Sequence, residues 1–145
     1  KAKQLDSYMA AIDRIQSHGI SVNGCFVLGL DGTGTESFDQ VRDFVHASGL
    51  YEVQITIQTA FPGTPLYLRL QREGRLLDET AWDLCTLFDV NFRPDRMSVL
   101  ELERNFVSLA RDLYSDAATK ARRRAYIDRL RQLKKTEQMY LGGAS

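Results

Sequence analysis

The nearly continuous apolar run from Val22 to Leu30 limits what this chain can fold into more than any other stretch. Such a run is typical of a β-strand that is covered on both faces, as in a parallel sheet. Three glycines lie within residues 29–34, and apolar residues then recur at helical spacing, namely Phe38, Val41, Phe44 and Val45. The sequence therefore predicts a strand, a glycine-bearing loop and a helix. Thr33 or Thr35 is the candidate cap of that helix, and Thr33 and Glu36 have capping-box spacing.

A second unit of the same kind follows. Val53, Ile55 and Ile57 alternate with Gln54, Thr56 and Gln58, which predicts a strand with one apolar and one polar face. The segment "FPGTPLYLRLQREG" then predicts a turn and a helix with Thr64 as its cap, Pro65 in its first position and Gly74 at its end. An amphipathic pattern before Gly19 adds a helix at the front. The order helix, strand, helix, strand, helix predicts an α/β fold with parallel strands joined by right-handed crossovers.

The two glycine-bearing loops, Gly29–Gly34 and Ala60–Thr64, follow the carboxyl ends of these strands. Parallel strands end at the same edge of a sheet, where α/β proteins bind their ligands. The first loop matches neither a phosphate loop nor the dinucleotide pattern GxGxxG. Taken alone, it fits either a ligand-binding wall or a tight structural corner.

The second half of the chain reads as mainly helical. Ser98 and Glu101 have capping-box spacing before an amphipathic helix, and a further helix is expected to start at Ser115 or Asp116. Phe88, Val90 and Phe92 alternate as in an extended segment. Trp82 is expected in the core rather than stacked on a substrate, and Cys25 is expected to be a small buried thiol.

Composition narrows the function classes. Nineteen basic and nineteen acidic residues cancel, so no overall field attracts nucleic acid or a membrane, and no apolar run has the ~20 residues of a membrane helix. These features suggest a cytoplasmic protein. One segment is strongly basic, and it fits a solvated helix face better than a nucleic-acid patch because it has few aromatic residues. Its basic residues are Lys120, Arg122, Arg123, Arg124, Arg129, Arg131, Lys134 and Lys135.

Four segments together resemble the radical S-adenosylmethionine enzymes, in the branch that often carries an N-terminal cobalamin-binding domain. They are "HGISVNGCFVLGLDGTGTESFDQV", "FPGTPLY", "REGRLL" and "FRPDRMSVLELERN". The resemblance implies a partial parallel (β/α) barrel over residues 1–78, whose two strands are the fifth and sixth of the barrel, and a mainly helical extension over residues 79–145. It also implies a C-terminal fragment of an iron–sulfur enzyme, an Fe–S oxidoreductase by class, that is not catalytic alone.

The resemblance also implies where the cofactor lies. In the parent enzyme, the adenosine part of S-adenosylmethionine would contact Val27, Gly29, Leu30, Ala60, Phe61, Pro62 and Gly63. The family's Cys-x3-Cys-x2-Cys signature, which holds a 4Fe-4S cluster, is absent, and Cys25 and Cys85 cannot replace it. The resemblance therefore predicts no catalytic or metal-binding residue and no bound cofactor in this chain, and it leaves the use of cobalamin open. Relatives commonly have Asp-Gly-Asp-Thr where this chain has Asp31-Gly32-Thr33-Gly34.

Two hypotheses about partners follow. As part of a barrel, the chain would bind the remainder of the parent barrel, and by itself it would pair with another copy or cover its strands with its own C-terminal helices. Neither a membrane nor a nucleic acid is expected as a partner. The alternative is a self-sufficient α/β binding or interaction module that presents its basic C-terminal helix to a partner.

Overall fold

The computed structural model describes the backbone of residues 2–142 and the side chains of residues 5–135. Its elements are α1 (Ala2–Gln16), β1 (Asn23–Leu28), α2 (Glu36–Ser48), β2 (Glu52–Ile57), α3 (Pro65–Arg72), a 3-10 turn (Trp82–Leu84), α4 (Val99–Leu113) and α5 (Asp116–Gly142). The predicted order of helix, strand, helix, strand, helix is confirmed. None of the helices in this part of the chain has both the length and the apolar character needed to cross a membrane.

The strands β1 and β2 pair directly with each other. The Glu52 N–H donates to the Val22 carbonyl at 3.3 Å, and the Gln58 N–H donates to the Leu28 carbonyl at 2.8 Å. Both residue numbers rise together along the pair, so the strands are parallel, as the sequence predicts. This sheet establishes the α/β class, and the partial barrel stays a prediction.

The chain forms two compact units, each built from segments that are distant in the sequence. The first unit contains Lys1–Gly24, Asp43–Gln54 and Leu113–Ser145, and the second contains Cys25–Arg42 and Ile55–Asp112. The division falls inside α2 and inside both strands. The domains over residues 1–78 and 79–145 stay predictions.

In the first unit, the long helix α5 is fixed by polar contacts. The Tyr126 hydroxyl donates to the Gly19 carbonyl at 2.7 Å, and Arg129 forms an ion pair with Asp13 at 2.8 Å. The Tyr126 ring lies 4.8 Å from the ring of Tyr51, measured between centroids. The contacts of Tyr126 with Gly19 and of Arg129 with Asp13 join α5 to residues 107 and 116 positions earlier in the sequence.

The second unit has an apolar core around β2, α3 and α4. Buried side chains with almost no exposure include Ile55, Ile57, Leu70, Phe92, Leu102 and Leu109. The helix α4 starts where its capping box predicts, because the Ser98 N–H donates to Glu101 Oε2 at 2.7 Å and the Glu101 N–H donates to Ser98 Oγ at 3.2 Å. Thr64 caps α3 in the predicted way, through the Tyr67 N–H at 3.2 Å.

Three local predictions are wrong, those for the burial of β1, of Cys25 and of Trp82, and of the two candidate caps of α2 it is Thr35 that directly precedes the helix. Residues of β1 alternate between exposed and half-buried up to Leu28, so one face of the strand is uncovered and Cys25 is exposed rather than buried. Trp82 is 68% exposed and not part of the core. The helix α2 starts at Glu36, whose carboxylate accepts from the Gly34 N–H at 3.0 Å, so Glu36 cannot be the third helical residue of a capping box. Thr35 instead occupies the position before the helix.

Candidate functional site

Two loops form the rim of the sheet in the second unit, and we use "the rim" for residues 29–34 and 59–64. The hydrogen bond from the Gln58 N–H to the Leu28 carbonyl, at 2.8 Å, joins the ends of the two strands. The loops therefore leave the sheet at neighbouring positions, as parallel strands require.

Five of the seven residues implied to contact the cofactor are exposed. The side chains of Val27, Leu30 and Phe61 are 48%, 44% and 39% exposed. Pro62 and Gly63 are exposed as well. Apolar groups of this size at the end of a sheet are suited to packing against a flat apolar ligand such as a nucleoside base.

Ala60 is completely buried, and its peptide groups are already in use. The side-chain amide of Asn91 accepts from the Ala60 N–H at 3.0 Å and donates to the Ala60 carbonyl at 3.0 Å. Thr59, one residue earlier, hydrogen-bonds through its hydroxyl to the Thr86 carbonyl. These bonds fix Ala60, and with it the start of its loop. Its contact with a cofactor stays a prediction.

Gly29 has a structural reason to be glycine. Its φ is +80°, in the left-handed region that other residues rarely adopt. A Cβ at this position would lie 3.0 Å from Leu102 Cδ2 and 3.8 Å from Phe92 Cζ, both of which belong to buried side chains. The missing side chain would therefore face the core. Gly29 makes room for core packing, whether or not a nucleoside lies against its other side.

Asp31 holds the first loop of the rim in place through two arginines. Asp31 Oδ2 lies 2.6 Å from Arg69 Nη1, and Asp31 Oδ1 lies 2.6 Å from Arg75 Nη2. The hydrogen bond from Arg75, followed by that from Arg69, lowers the pKa of the Asp31 carboxyl despite the opposing effect of burial. The side chain of Asp31 is only 26% exposed, so water weakens these pairs less than pairs on an open surface.

A second carboxylate secures the same loop. The Gly32 N–H donates to both carboxylate oxygens of Asp95, at 3.1 and 2.9 Å. Within the loop, the Leu30 carbonyl accepts from the Thr33 N–H and hydroxyl at 3.1 and 2.6 Å. The loop is thus fixed by its own chain before any ligand binds.

Sequence reasoning missed Arg69, Arg75, Asn91 and Asp95. Asp31 stood out only because it opens a segment that departs from the family's common Asp-Gly-Asp-Thr. Arg69 lies outside the four segments that carry the resemblance, Arg75 lies within "REGRLL" but no role was assigned to it, and their partner Asp31 is distant in the sequence. A search for charged residues on the helix after the second loop would have suggested Arg69 as a candidate.

The described residues do not suit a four-iron cluster. No group of three or more His, Cys, Asp or Glu side chains in this part of the chain could hold a metal ion. Cys25 lies on β1, and the other thiol, Cys85, directly follows the 3-10 turn. Cluster ligation requires several cysteine thiolates close together.

The basic residues of α5 largely pair within the chain. Arg129 contacts Asp13 at 2.8 Å and Arg123 contacts Glu52 at 3.6 Å, both across the first unit. Arg131 and Lys120 pair along the helix, with Asp128 and Asp116. This pattern agrees with the predicted solvated helix face.

Comparison with known proteins identifies relatives. Residues 64–142 match the model of a family described as Domain of unknown function (DUF4070). The chain is 27% identical over 117 residues to bacteriochlorophyllide d C-12(1)-methyltransferase of Chlorobaculum tepidum, covering 81% of this chain and 25% of that protein. It is 37% identical over 71 residues to hopanoid C-2 methylase of Rhodopseudomonas palustris, covering 49% of this chain and 14% of that protein.

A third relative is an uncharacterized methyltransferase of Synechocystis, 28% identical over 109 residues, with 75% of this chain and 20% of that protein covered. The chain thus spans about a quarter or less of the length of the curated relatives it matches. The resemblance to radical S-adenosylmethionine enzymes of the cobalamin-associated branch is confirmed by these matches.

Proposed function

The chain belongs to the family of the domain of unknown function DUF4070, and on that premise we propose that it is part of a methyltransferase that uses S-adenosylmethionine. The similarity to proteins named as methyltransferases or a methylase carries this proposal. The substrates in two of these names differ, so methyl transfer is what the names share. Fold alone does not fix the substrate, and none is assigned here.

The rim is the part of the chain that we propose to contact the cofactor. Leu30 and Phe61 at the rim, with Val27 near the end of β1, are exposed and apolar, and they would pack against the adenosine part and exclude water from it. S-adenosylmethionine, when bound, supplies the methyl group. The ion pairs of Asp31 with Arg69 and Arg75 keep the first loop in position for this contact.

The remaining components are proposed to lie elsewhere in the enzyme. Because the chain spans about a quarter or less of its relatives and does not suit a cluster, we assign the iron–sulfur cluster, and cobalamin if the enzyme uses it, to other parts of that protein. The chain would then bind the remainder of the barrel. A cytoplasmic location and self-association of the isolated chain stay predictions.

The test compares two exposed apolar side chains, one at the rim and one on α4. Phe61→Ala in the whole enzyme should weaken S-adenosylmethionine binding about tenfold, because a stacking contact is lost. Leu100→Ala removes a side chain that is 52% exposed, and it should leave binding unchanged. Equilibrium dialysis measures the affinity, and circular dichroism checks the fold. Equal affinities for Phe61→Ala and the unmodified enzyme would rule out this role for the rim.

A further inference from the structure

A pocket of about 320 Å³ lies in the first unit, at the amino ends of β1 and β2 and beside α5. It is separate in sequence from the rim and takes no part in the function proposed above. Its lining includes the polar side chains Asn23, Glu52, Gln54, Thr119, Arg122 and Arg123. The volume is many times the ~30 Å³ that one water molecule occupies in the liquid, so a small ligand fits.

Arg122 is the unusual member of this lining. Its Nε and Nη1 atoms are shielded from solvent and have no hydrogen-bond acceptor among the described residues. Its Nη2 atom makes a long contact, 3.4 Å, with the Thr119 hydroxyl. Buried donors without an acceptor destabilise the folded state, and a charged group does so more strongly. A guanidinium in this situation is expected to have an anionic partner, which reaches Nε and Nη1 when the side chain rotates toward the pocket.

The charges around Arg122 give the same indication. Arg123 also lines the pocket, and its carboxylate neighbour Glu52 lies 3.6 Å from Arg123 rather than pairing with Arg122. Burial is the main cause of a lowered pKa of Arg122; Tyr114, which also lines the pocket, opposes this shift, and the nearby charge of Arg123 adds to it. The pocket therefore contains two cations and one carboxylate, and it has an excess of positive charge.

We propose that this pocket binds a small oxyanion, a carboxylate or a phosphate, with Arg122 as its main ligand and Arg123 as a second cation. The planar guanidinium matches both groups, because its N–H donors point in directions that two oxygens of one anion can accept. The hydroxyl of Thr119 and the amide of Asn23 lie in the same lining and can complete the hydrogen bonds of such an anion.

Isothermal titration of the purified protein with inorganic phosphate and with acetate tests the proposal, with chloride at matched ionic strength as the reference. We expect saturable binding of at least one anion. The anion that saturates at the lower concentration identifies the ligand as a phosphate or a carboxylate.

Three variants then locate the site. Arg122→Gln should weaken binding about tenfold or more, because a charged hydrogen bond is lost. Glu52→Gln should strengthen binding, because the carboxylate no longer competes for Arg123. Arg124→Gln is the matched control, since Arg124 is on the same helix but its side chain is 86% exposed and faces Asp128 at 3.9 Å. This control should bind as the unmodified protein does.

Two results would overturn the proposal: no binding of either anion beyond that of chloride, or binding that Arg122→Gln leaves intact. If Arg122→Gln does not fold, Glu52→Gln decides, because a site built on these arginines must bind more tightly without the competing carboxylate. Unchanged affinity in Glu52→Gln would then count against the site.

Discussion

The rim and the pocket lined by Arg122 differ in whether their buried polar groups have partners within the protein. At the rim, Asp31 forms ion pairs with two arginines at 2.6 Å, of which the Arg75 contact is also a hydrogen bond, and the peptide groups of Ala60 bond to the amide of Asn91. In the pocket, two donors of Arg122 have no acceptor among the described residues. A site whose polar groups satisfy one another can be rigid without a ligand, whereas a site with unused donors gains stability from a ligand. We therefore expect the rim to act as a rigid scaffold without a ligand, and the pocket to gain stability when it binds an anion.

The largest expected effect is a loss of stability when Asn91, which holds the rim in place, is replaced. Asn91→Ala would leave the buried N–H of Ala60 without its partner and its carbonyl with the weak 4.0 Å contact to the Cys85 thiol, and we expect a loss of about 2–4 kcal/mol in the free energy of unfolding. Asn105→Ala is the control, because Asn105 also bonds a backbone carbonyl, that of Glu101 at 2.8 Å, but at an exposed position. It should change stability by less than about 0.5 kcal/mol. Urea unfolding measures both, and equal losses would show that the rim is not a rigid scaffold.

A smaller effect is expected at Asp31. Asp31→Asn would remove the charge that pairs with Arg69 and Arg75, and it should cost about 1–2 kcal/mol, since both pairs are partly exposed. Asp128→Asn is a close control. Asp128 also has two arginine neighbours, Arg124 at 3.9 Å and Arg131 at 3.0 Å, but their side chains are 86% and 71% exposed. Its loss should be near zero when both variants are unfolded in urea.

The pH dependence of the unfolding free energy distinguishes the charge of Asp31 from its packing. Because the pKa of Asp31 is lowered in the folded protein, its stabilising effect is fully present above the unfolded value of about 3.9 and is lost as the pH falls through the folded value. The difference in unfolding free energy between the unmodified protein and Asp31→Asn should therefore narrow below about pH 4. A difference that stays constant down to about pH 2 would assign the effect of the variant to packing rather than charge.

The smallest expected effect is on stability when Arg122, in the pocket, is replaced. Arg122→Met, in buffer without phosphate or carboxylate, should leave stability unchanged or raise it by about 1 kcal/mol, because a half-buried cation with two unsatisfied donors is replaced by an apolar chain. Arg129→Met, on the same helix, breaks the ion pair with Asp13 and should lower stability by about 0.5–1 kcal/mol. Thermal unfolding of the two variants compares them. A clear loss in Arg122→Met would mean that Arg122 already has a partner within the protein.

Local signals made much of the fold predictable from the sequence. The capping box at Ser98 and Glu101 and the Thr64-Pro65 helix start depend on residues three or fewer positions apart, and both were found as predicted. The parallel strands followed from the alternation of elements. Trp82 and Cys25 were misjudged because exposure depends on what the rest of the chain places over a residue, and an apolar side chain alone does not reveal that.

The site was less predictable than the fold. The position of the rim follows from the strand ends, but the pairs that hold it join Asp31 to Arg75 across 44 positions and Ala60 to Asn91 across 31. No periodicity links such residues, and single charged or amide residues are common on any surface. Gly29 shows what sequence alone does not reveal. The sequence indicated that glycine was needed there, but only the distance to Leu102 shows that the core requires it.

The pairing of Asn91 with Ala60 has a consequence for chemical ageing. The side-chain amide presents one donor and one acceptor to a peptide group, which presents the complementary pair. Deamidation to aspartate would keep the shape and replace the donor by an oxygen, and that oxygen would then face the Ala60 carbonyl. Two acceptors would oppose each other in a buried place, and the resulting carboxylate would gain a proton to relieve the conflict. The loop at the rim would thereby become sensitive to acidity through the slow alteration of a single neutral side chain.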